Sequence, residues 1–181
     1  MLLICLLLLS LCACQLPVIR DAAFSPPEVT EDIKTKNYRE KVVEGAYHLV
    51  KTQNLTVRGK RFSPDCSGTV LAIYYYAGID LTREYHLFKG GGVERIYATL
   101  EKYNLLHKET FPQPGDIAFW DNTYDRNGDK RWNDELTHVA VVVAVAPDGD
   151  IDYVHYHYTQ GIIIEKMNLK HRETHTRKGS G

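Results

Sequence analysis

The spacing of hydrophobic residues changes from a helical period to a strand period along this chain. Before Gln113, apolar residues recur at helical intervals, and the segment YREKVVEGAYHLVKTQ predicts a helix capped by Asn37. The apolar run that follows Cys66 predicts a second helix, which Gly78 ends. A third predicted helix extends from Val93 to about Leu106, after a run of three glycines that we interpret as a flexible turn.

Beyond the segment QPGD, apolar residues alternate with polar ones or form short continuous runs. The segments IAFW, HVAVVVAV and IDYVHYHY each predict a strand, and GIIIEKMNL predicts a fourth. The turn signal Pro147-Asp148-Gly149 separates the second and third of these strands. Helices followed by antiparallel strands predict an α+β domain.

The first residues carry the features of an export signal. The apolar run Leu2–Leu9 is too short to span a bilayer and is typical of a signal peptide, although no Lys or Arg precedes it. The segment Leu11-Cys12-Ala13-Cys14 resembles a bacterial lipobox, which predicts cleavage before Cys14 and a lipid on its thiol. An ordinary secretory signal that is cleaved nearby is the alternative.

These features divide the chain and indicate its compartment. We expect an exported protein that is lipid-anchored at the bacterial cell envelope. The predicted segments are a signal peptide at 1–13, a linker at 14–36, a folded domain at 37–170 and a basic tail at 171–181.

Composition narrows the classes of partner. Apolar residues make up 44% of the 181 residues, which is enough for the core of one domain, and the net charge of −1 gives no indication of nucleic-acid binding. We therefore expect no nucleic-acid partner. We also expect a monomer, although the sequence does not determine the oligomeric state. If the signal is removed and Cys14 is acylated, Cys66 is the only free thiol in the domain, which excludes an internal disulfide.

Cys66 lies where a nucleophile would be activated. Ser63 is a favourable N-cap and Pro64 suits the first helical position, so that Cys66 falls in the first turn. Unpaired N–H groups and the positive end of the helix dipole at that place lower a thiol pKa. The alternative is a buried structural cysteine.

His138 is the candidate base, because it directly precedes a long apolar strand and can accept the thiol proton there. A third polar group would orient its imidazole. His155 and His157 both lie on the matching face of the next strand. An idealised hairpin favours His157, whereas His155 would need a bulge or a bend to come close. Zinc bound by Cys66 and these histidines is a less favoured alternative.

Three motifs in order resemble those of the NlpC-type and CHAP-type cell-wall cysteine peptidases and amidases. They are Asp65-Cys66-Ser67-Gly68, then PGDIAF at 114–119, then THVAVV at 137–142. The resemblance implies a papain-like α+β fold, with N-terminal helices packed on a C-terminal antiparallel sheet. It also implies Cys66 as nucleophile, His138 as base and, from the spacing in CHAP members, His155 as the third residue. No cofactor would be required.

The implied substrate is an amide bond in the stem peptides of peptidoglycan. The chain departs from many NlpC members upstream of the cysteine, where Arg58, Lys60 and Arg61 replace an aromatic residue and a Gly-Gly pair. A groove with these cations at its edge would suit the carboxylates of a stem peptide. The alternative function is a catalytically silent module that binds cell wall or protein on the same scaffold.

A second constellation lies just before His138. Asp125, Asn127 and Asp129 occupy alternate positions, and Asp134 follows them. Hard oxygen ligands at this spacing resemble a loop that binds a structural Ca²⁺ ion, although the spacing is not that of an EF-hand. A polar loop rich in Asx-turns is the alternative.

Overall fold

The computed structural model describes residues 27–108 and 112–171. Its first helix, α1, spans Pro27–Thr52, so the predicted start at Asn37 was wrong. Proline at the first helical position has no N–H of its own to leave unpaired and already has a helical φ, which allows the helix to begin inside the predicted linker. Residues 1–26, including the predicted signal and Cys14, lie outside the described residues, as does most of the predicted tail.

Helix α1 contributes one apolar stripe to the core. Val42, Ala46 and Leu49 are fully buried, at the spacing of one helix face. A small hairpin of β1 (Thr56–Val57) and β2 (Lys60–Arg61) follows. Its two turn residues, Arg58 and Gly59, both have positive φ, as the tight turns that suit a twisted hairpin require.

Helix α2 (Cys66–Tyr76) lies at the centre of the domain and buries residues 68–73. Its N-cap is Asp65, whose carboxylate accepts a hydrogen bond of 2.7 Å from the backbone N–H of Gly68. The predicted Ser63 cap was therefore wrong, and Cys66 is the first helical residue. A carboxylate next to the helix start can reach the free N–H groups, whereas Ser63 is too far upstream. The helix ends at Tyr76, just before Gly78 with its positive φ.

Helix α3 (Gly92–Lys102) follows a 3-10 turn at Tyr85–Leu87 and is shorter than predicted. It packs beside α2 through its glycine start. A Cβ atom at Gly92 would lie 2.1 Å from Oγ of Ser67, so only glycine permits this approach next to Cys66. The glycine run is therefore a packing feature as well as a turn.

The second half of the chain forms one antiparallel sheet with the strand order β3-β4-β5-β6. Val139, Val141, Val154 and Ile162 are buried in the core that the sheet shares with the helices. This arrangement confirms the predicted α+β fold, including the fourth strand. The strands are β3 (Ile117–Trp120), β4 (His138–Val145), β5 (Asp150–His157) and β6 (Gly161–Asn168).

The pairing of β4 with β5 contains one irregularity. Val145 pairs with Ile151 and Ala144 with Asp152, but the register then shifts, and Val142 pairs with Tyr153. A bulge of this kind adds one residue to one strand and re-aims the side chains beyond it. None of the helices in the described part of the chain is both long and apolar enough to cross a bilayer.

Candidate active site

Cys66 is a free, partly exposed cysteine at the start of α2. Its sulfur lies within hydrogen-bonding reach of the backbone N–H of Val139, the residue that follows His138. The start of the central helix and the start of β4 therefore meet at the thiol. This juxtaposition arises because α2 packs across the buried face of the sheet.

The electrostatic environment of the thiol differs from the expectation. Burial raises the pKa of Cys66, the negative charge of Asp65 raises it further, and the backbone N–H groups of Val139 and Ser67 only partly offset these effects. The predicted lowering of this pKa was therefore wrong. The cap that begins the helix is itself an anion next to the thiol, and it counteracts the positive helix end.

His138 is the first residue of β4 and lies opposite Trp120 on β3, with ring centroids 5.7 Å apart. Burial, together with the nearby His155, lowers the pKa of His138 to about 4, against a smaller opposite effect of Glu165. The imidazole is therefore neutral at neutral pH. A neutral imidazole has a free lone pair and can accept a proton.

His155 contacts His138 directly. Nε2 of His138 lies 3.0 Å from Nδ1 of His155, and the two rings are nearly perpendicular at 86°. His155 is only 6% exposed. Beyond the bulge at Ala144, Val141 pairs with Val154, and continuing this register places His155 next to Ala140 and diagonal to His138.

His157 is engaged elsewhere. Its Nδ1 lies 3.3 Å from the backbone N–H of Thr159 and 3.1 Å from the hydroxyl of the same residue. Its ring stacks on Tyr158, with centroids 4.9 Å apart. These contacts hold His157 at the β5–β6 turn. His155, and not His157, is therefore the histidine that contacts His138.

Glu165 on β6 was not singled out from the sequence. Its Oε2 lies 3.2 Å from Nε2 of His155 and accepts a hydrogen bond of 3.1 Å from the hydroxyl of Tyr153. The pairing of β5 with β6 brings it there, since Glu165 pairs with Tyr153 across this hairpin and is diagonal to His155. Strand alternation alone does not determine which residues are opposite each other.

Comparison with known families agrees with this geometry. The family model described as the CHAP domain matches residues 59–157, which is more than half of the chain. The chain belongs to the CHAP domain family. Domains of this family are typically hydrolases of peptidoglycan, and the predicted family resemblance is thereby confirmed. No curated protein and no solved structure matches the chain.

A cavity of about 300 Å³ in this CHAP domain is lined by Pro64, which lies just before the Cys66 helix, but not by Cys66, His138 or His155 themselves. Arg61 lines it, whereas Arg58 donates a hydrogen bond to the carbonyl of Tyr76, and Lys60 is paired with Asp80. Of the three cations upstream of the cysteine, Arg61 is thus the one at the cavity. Its other lining residues include Gln53, Phe62, Pro64, Tyr156 and Gly161.

The acidic loop before β4 binds its own backbone. Asp125 accepts hydrogen bonds from the N–H groups of Gly128 and Lys130, and Asn127 accepts one from Asp129. Side-chain oxygens of Asp129 and Asp134 likewise accept backbone N–H groups of the loop. The contacts of Asn127 and Asp129 span two residues and are the Asx-turns of the alternative interpretation, whereas those of Asp125 and Asp134 span longer parts of the loop.

The side-chain oxygens of this loop thus bond to its own backbone N–H groups. Within residues 27–108 and 112–171, no group of three or more His, Cys, Asp or Glu side chains is arranged to hold a metal ion. The calcium site of Asp125, Asn127, Asp129 and Asp134 stays a prediction. Removal of calcium by a chelator, followed by thermal unfolding, would test it.

Proposed function

We propose that this CHAP domain hydrolyses an amide bond in the stem peptides of peptidoglycan, with Cys66 as nucleophile, His138 as base and His155 as the residue that orients the base. The observation that supports it best is the 3.0 Å contact between the two imidazoles, beside a thiol that meets the backbone of Val139. Covalent catalysis of this kind requires a nucleophile, a base and a group that orients the base.

The proposed reaction is acyl transfer. Nδ1 of His138 accepts the thiol proton while the sulfur of Cys66 bonds to the carbonyl carbon. The tetrahedral intermediate then breaks its C–N bond, and the amine leaves with the proton from His138. A water molecule, deprotonated by the same imidazole, attacks the thioester and releases a carboxylic acid and the free thiol.

The resting pair in this proposal is neutral. Burial raises the pKa of Cys66 and lowers that of His138, so both shifts disfavour a thiolate–imidazolium ion pair before substrate binds. The proton would move as the sulfur attacks. His138 is then a general base during the attack and not the stabiliser of a preformed thiolate.

Arg61 supports a substrate that carries carboxylates. It is the cation at the cavity near Pro64, two residues before Cys66. A guanidinium can bind a carboxylate through two parallel hydrogen bonds. We place the carboxylate of a stem peptide in this cavity, with its scissile bond toward the thiol.

Purified peptidoglycan sacculi test the proposal through the release of new amino termini. Cys66→Ala should abolish release, and His138→Ala should reduce its rate by about 10²- to 10⁴-fold. His155→Ala should reduce it less than Cys66→Ala, because orientation contributes less than the nucleophile. His157→Ala is the matched control on the same strand. Full activity of His155→Ala, with a loss in His157→Ala, would assign the third position to His157.

A catalytically silent module is the second candidate. The raised pKa of Cys66 favours it, since an unactivated thiol is what a buried structural cysteine would show. Sedimentation of the wild-type protein with sacculi, without any release of amino termini, would support this candidate over the hydrolase.

We also propose that the domain is exported and anchored at the cell envelope by a lipid on Cys14. The support comes from the sequence, through the apolar run and the lipobox-like segment before Cys14. Incorporation of labelled palmitate, lost in Cys14→Ser, is the expected result. Equal labelling of both proteins would contradict it.

A further inference from the structure

The contact between His138 and His155 can exist in two proton arrangements. Each neutral imidazole carries one N–H, and one ring nitrogen of the pair must donate while the other accepts. Since Nε2 of His138 faces Nδ1 of His155, the donor is one or the other. Only the arrangement in which His138 donates from Nε2 leaves its Nδ1 unprotonated and able to take the thiol proton.

The group on the far side of His155 determines which arrangement is more stable. Oε2 of Glu165 lies 3.2 Å from Nε2 of His155, which is buried and makes no hydrogen bond to any described residue, so the carboxylate acts on this nitrogen through its charge. A carboxylate accepts but does not donate, so a proton on Nε2 is attracted and a lone pair there is repelled. With its proton on Nε2, His155 presents a lone pair at Nδ1, and His138 must donate to it.

We propose that Glu165 is a positioning residue that selects the reactive tautomer of His138 through His155. This inference rests on the proposed function for its catalytic meaning, but the tautomer is a property of the resting protein. The hydroxyl of Tyr153 donates to the same carboxylate oxygen and holds it in place. The chain of contacts then runs from β6 through β5 to the start of β4.

The burial of His155 makes this selection effective. Because His155 is only 6% exposed, little water is available to reduce the repulsion between a lone pair on Nε2 and the carboxylate of Glu165. Without Glu165, both arrangements of the histidine pair have comparable partners. Part of the protein would then carry its proton on Nδ1 of His138, where the imidazole cannot act as a base toward Cys66.

The direct test is nitrogen NMR of the full-length protein with labelled histidine, in a Cys66→Ala background at neutral pH. In the Cys66→Ala protein we expect Nδ1 of His138 to be unprotonated and Nε2 to carry the proton. In Cys66→Ala with Glu165→Ala, protonation should spread to Nδ1. Protonated Nδ1 in the parent, or identical nitrogen shifts in both proteins, would overturn the proposal.

Kinetics on sacculi supply the second readout. Glu165→Ala alone should lower kcat by about tenfold to hundredfold and leave KM unchanged. Loss of the group that holds a metal-binding histidine has an effect of this size. Asp152→Asn is the matched control, because it removes a carboxylate of the same sheet that faces Lys166 and not the histidines. An equal loss in both variants, or a loss confined to KM, would contradict the assigned role.

The two readouts separate this inference from the proposed function. If the wild-type protein releases no amino termini, the hydrolase proposal fails, and NMR alone still determines whether Glu165 selects the tautomer. If hydrolysis is present and the nitrogen shifts do not respond to Glu165→Ala, the hydrolase proposal survives and this inference fails.

Discussion

The burial of His138 makes a quantitative prediction for activity at acidic pH. With the pKa of His138 at about 4, a fraction of roughly 0.9 of the protein molecules carries a neutral imidazole at pH 5. At the ordinary value of 6.5, only about 0.03 would be neutral. Lowering the pH from 7 to 5 should therefore cost little of kcat/KM, about 1.1-fold, whereas an unshielded base would lose about 25-fold.

The groups that surround His138 support this magnitude. Burial beside Trp120 is the main cause of the shift, and the proximity of His155 adds to it. Glu165 opposes the shift through its negative charge. The thiol of Cys66 stays protonated throughout this pH range because its pKa is raised, so it does not contribute a second change.

The same shift affects stability, which the assay must control. The pKa of His138 is lower in the folded state than in the unfolded chain, so the unfolded chain binds the proton first as the pH falls. This contribution to stability is complete above about pH 6.5 and declines toward about pH 4. At pH 5 the loss is about 2 kcal/mol at most, since partial exposure of the imidazole reduces it.

The assay is hydrolysis of a soluble stem-peptide amide between pH 4 and pH 8, with circular dichroism at each pH to verify that the protein is folded. NMR titration of His138 gives its pKa without requiring activity. A fall of 20-fold or more between pH 7 and pH 5 in folded protein, with a midpoint near 6.5, would refute the argument. His138 would then be solvated in the functional state.

Two further predictions concern the start of α2. Asp65→Asn keeps an oxygen that can cap Gly68 but removes the negative charge, so the pKa of Cys66 should fall. The pH dependence of alkylation with iodoacetamide measures this pKa, and an unchanged value would contradict the assigned effect of Asp65. Gly68→Ala would place a Cβ atom 2.0 Å from the carbonyl oxygen of Ser63 and should lower the free energy of unfolding in urea by about 1–3 kcal/mol. A gain of about 1 kcal/mol, which alanine's helix propensity alone predicts, would show that this backbone yields without cost.

Local features of the fold could be predicted from the sequence. Alternating residues and short continuous apolar runs predicted the four strands, and an apolar run after Cys66 predicted the central helix, because neighbouring residues determine these patterns. The boundaries were less well predicted. The α1 helix begins at Pro27 and the cap of α2 is Asp65, since several adjacent residues can begin a helix and packing selects among them.

The identity of the histidine that meets His138 depended on tertiary structure. Both His155 and His157 satisfy the strand alternation, but the side chain of His155 reaches His138 diagonally, whereas that of His157 bonds to Thr159. Glu165 is likewise brought to His155 only by the register of a different hairpin. Pairing register depends on turn geometry and on the whole buried face, so no short segment specifies it.

The sequence by itself determined the order of elements, the nucleophile candidate at a helix start and the base candidate at a strand start. Only the tertiary structure determined that Cys66 and His138 are a neutral thiol and a neutral imidazole. Position at the helix N-terminus predicted a lowered thiol pKa, yet burial and the Asp65 carboxylate raise it. The physical reason is that desolvation depends on which distant residues pack around a group, and a linear sequence does not contain that information locally.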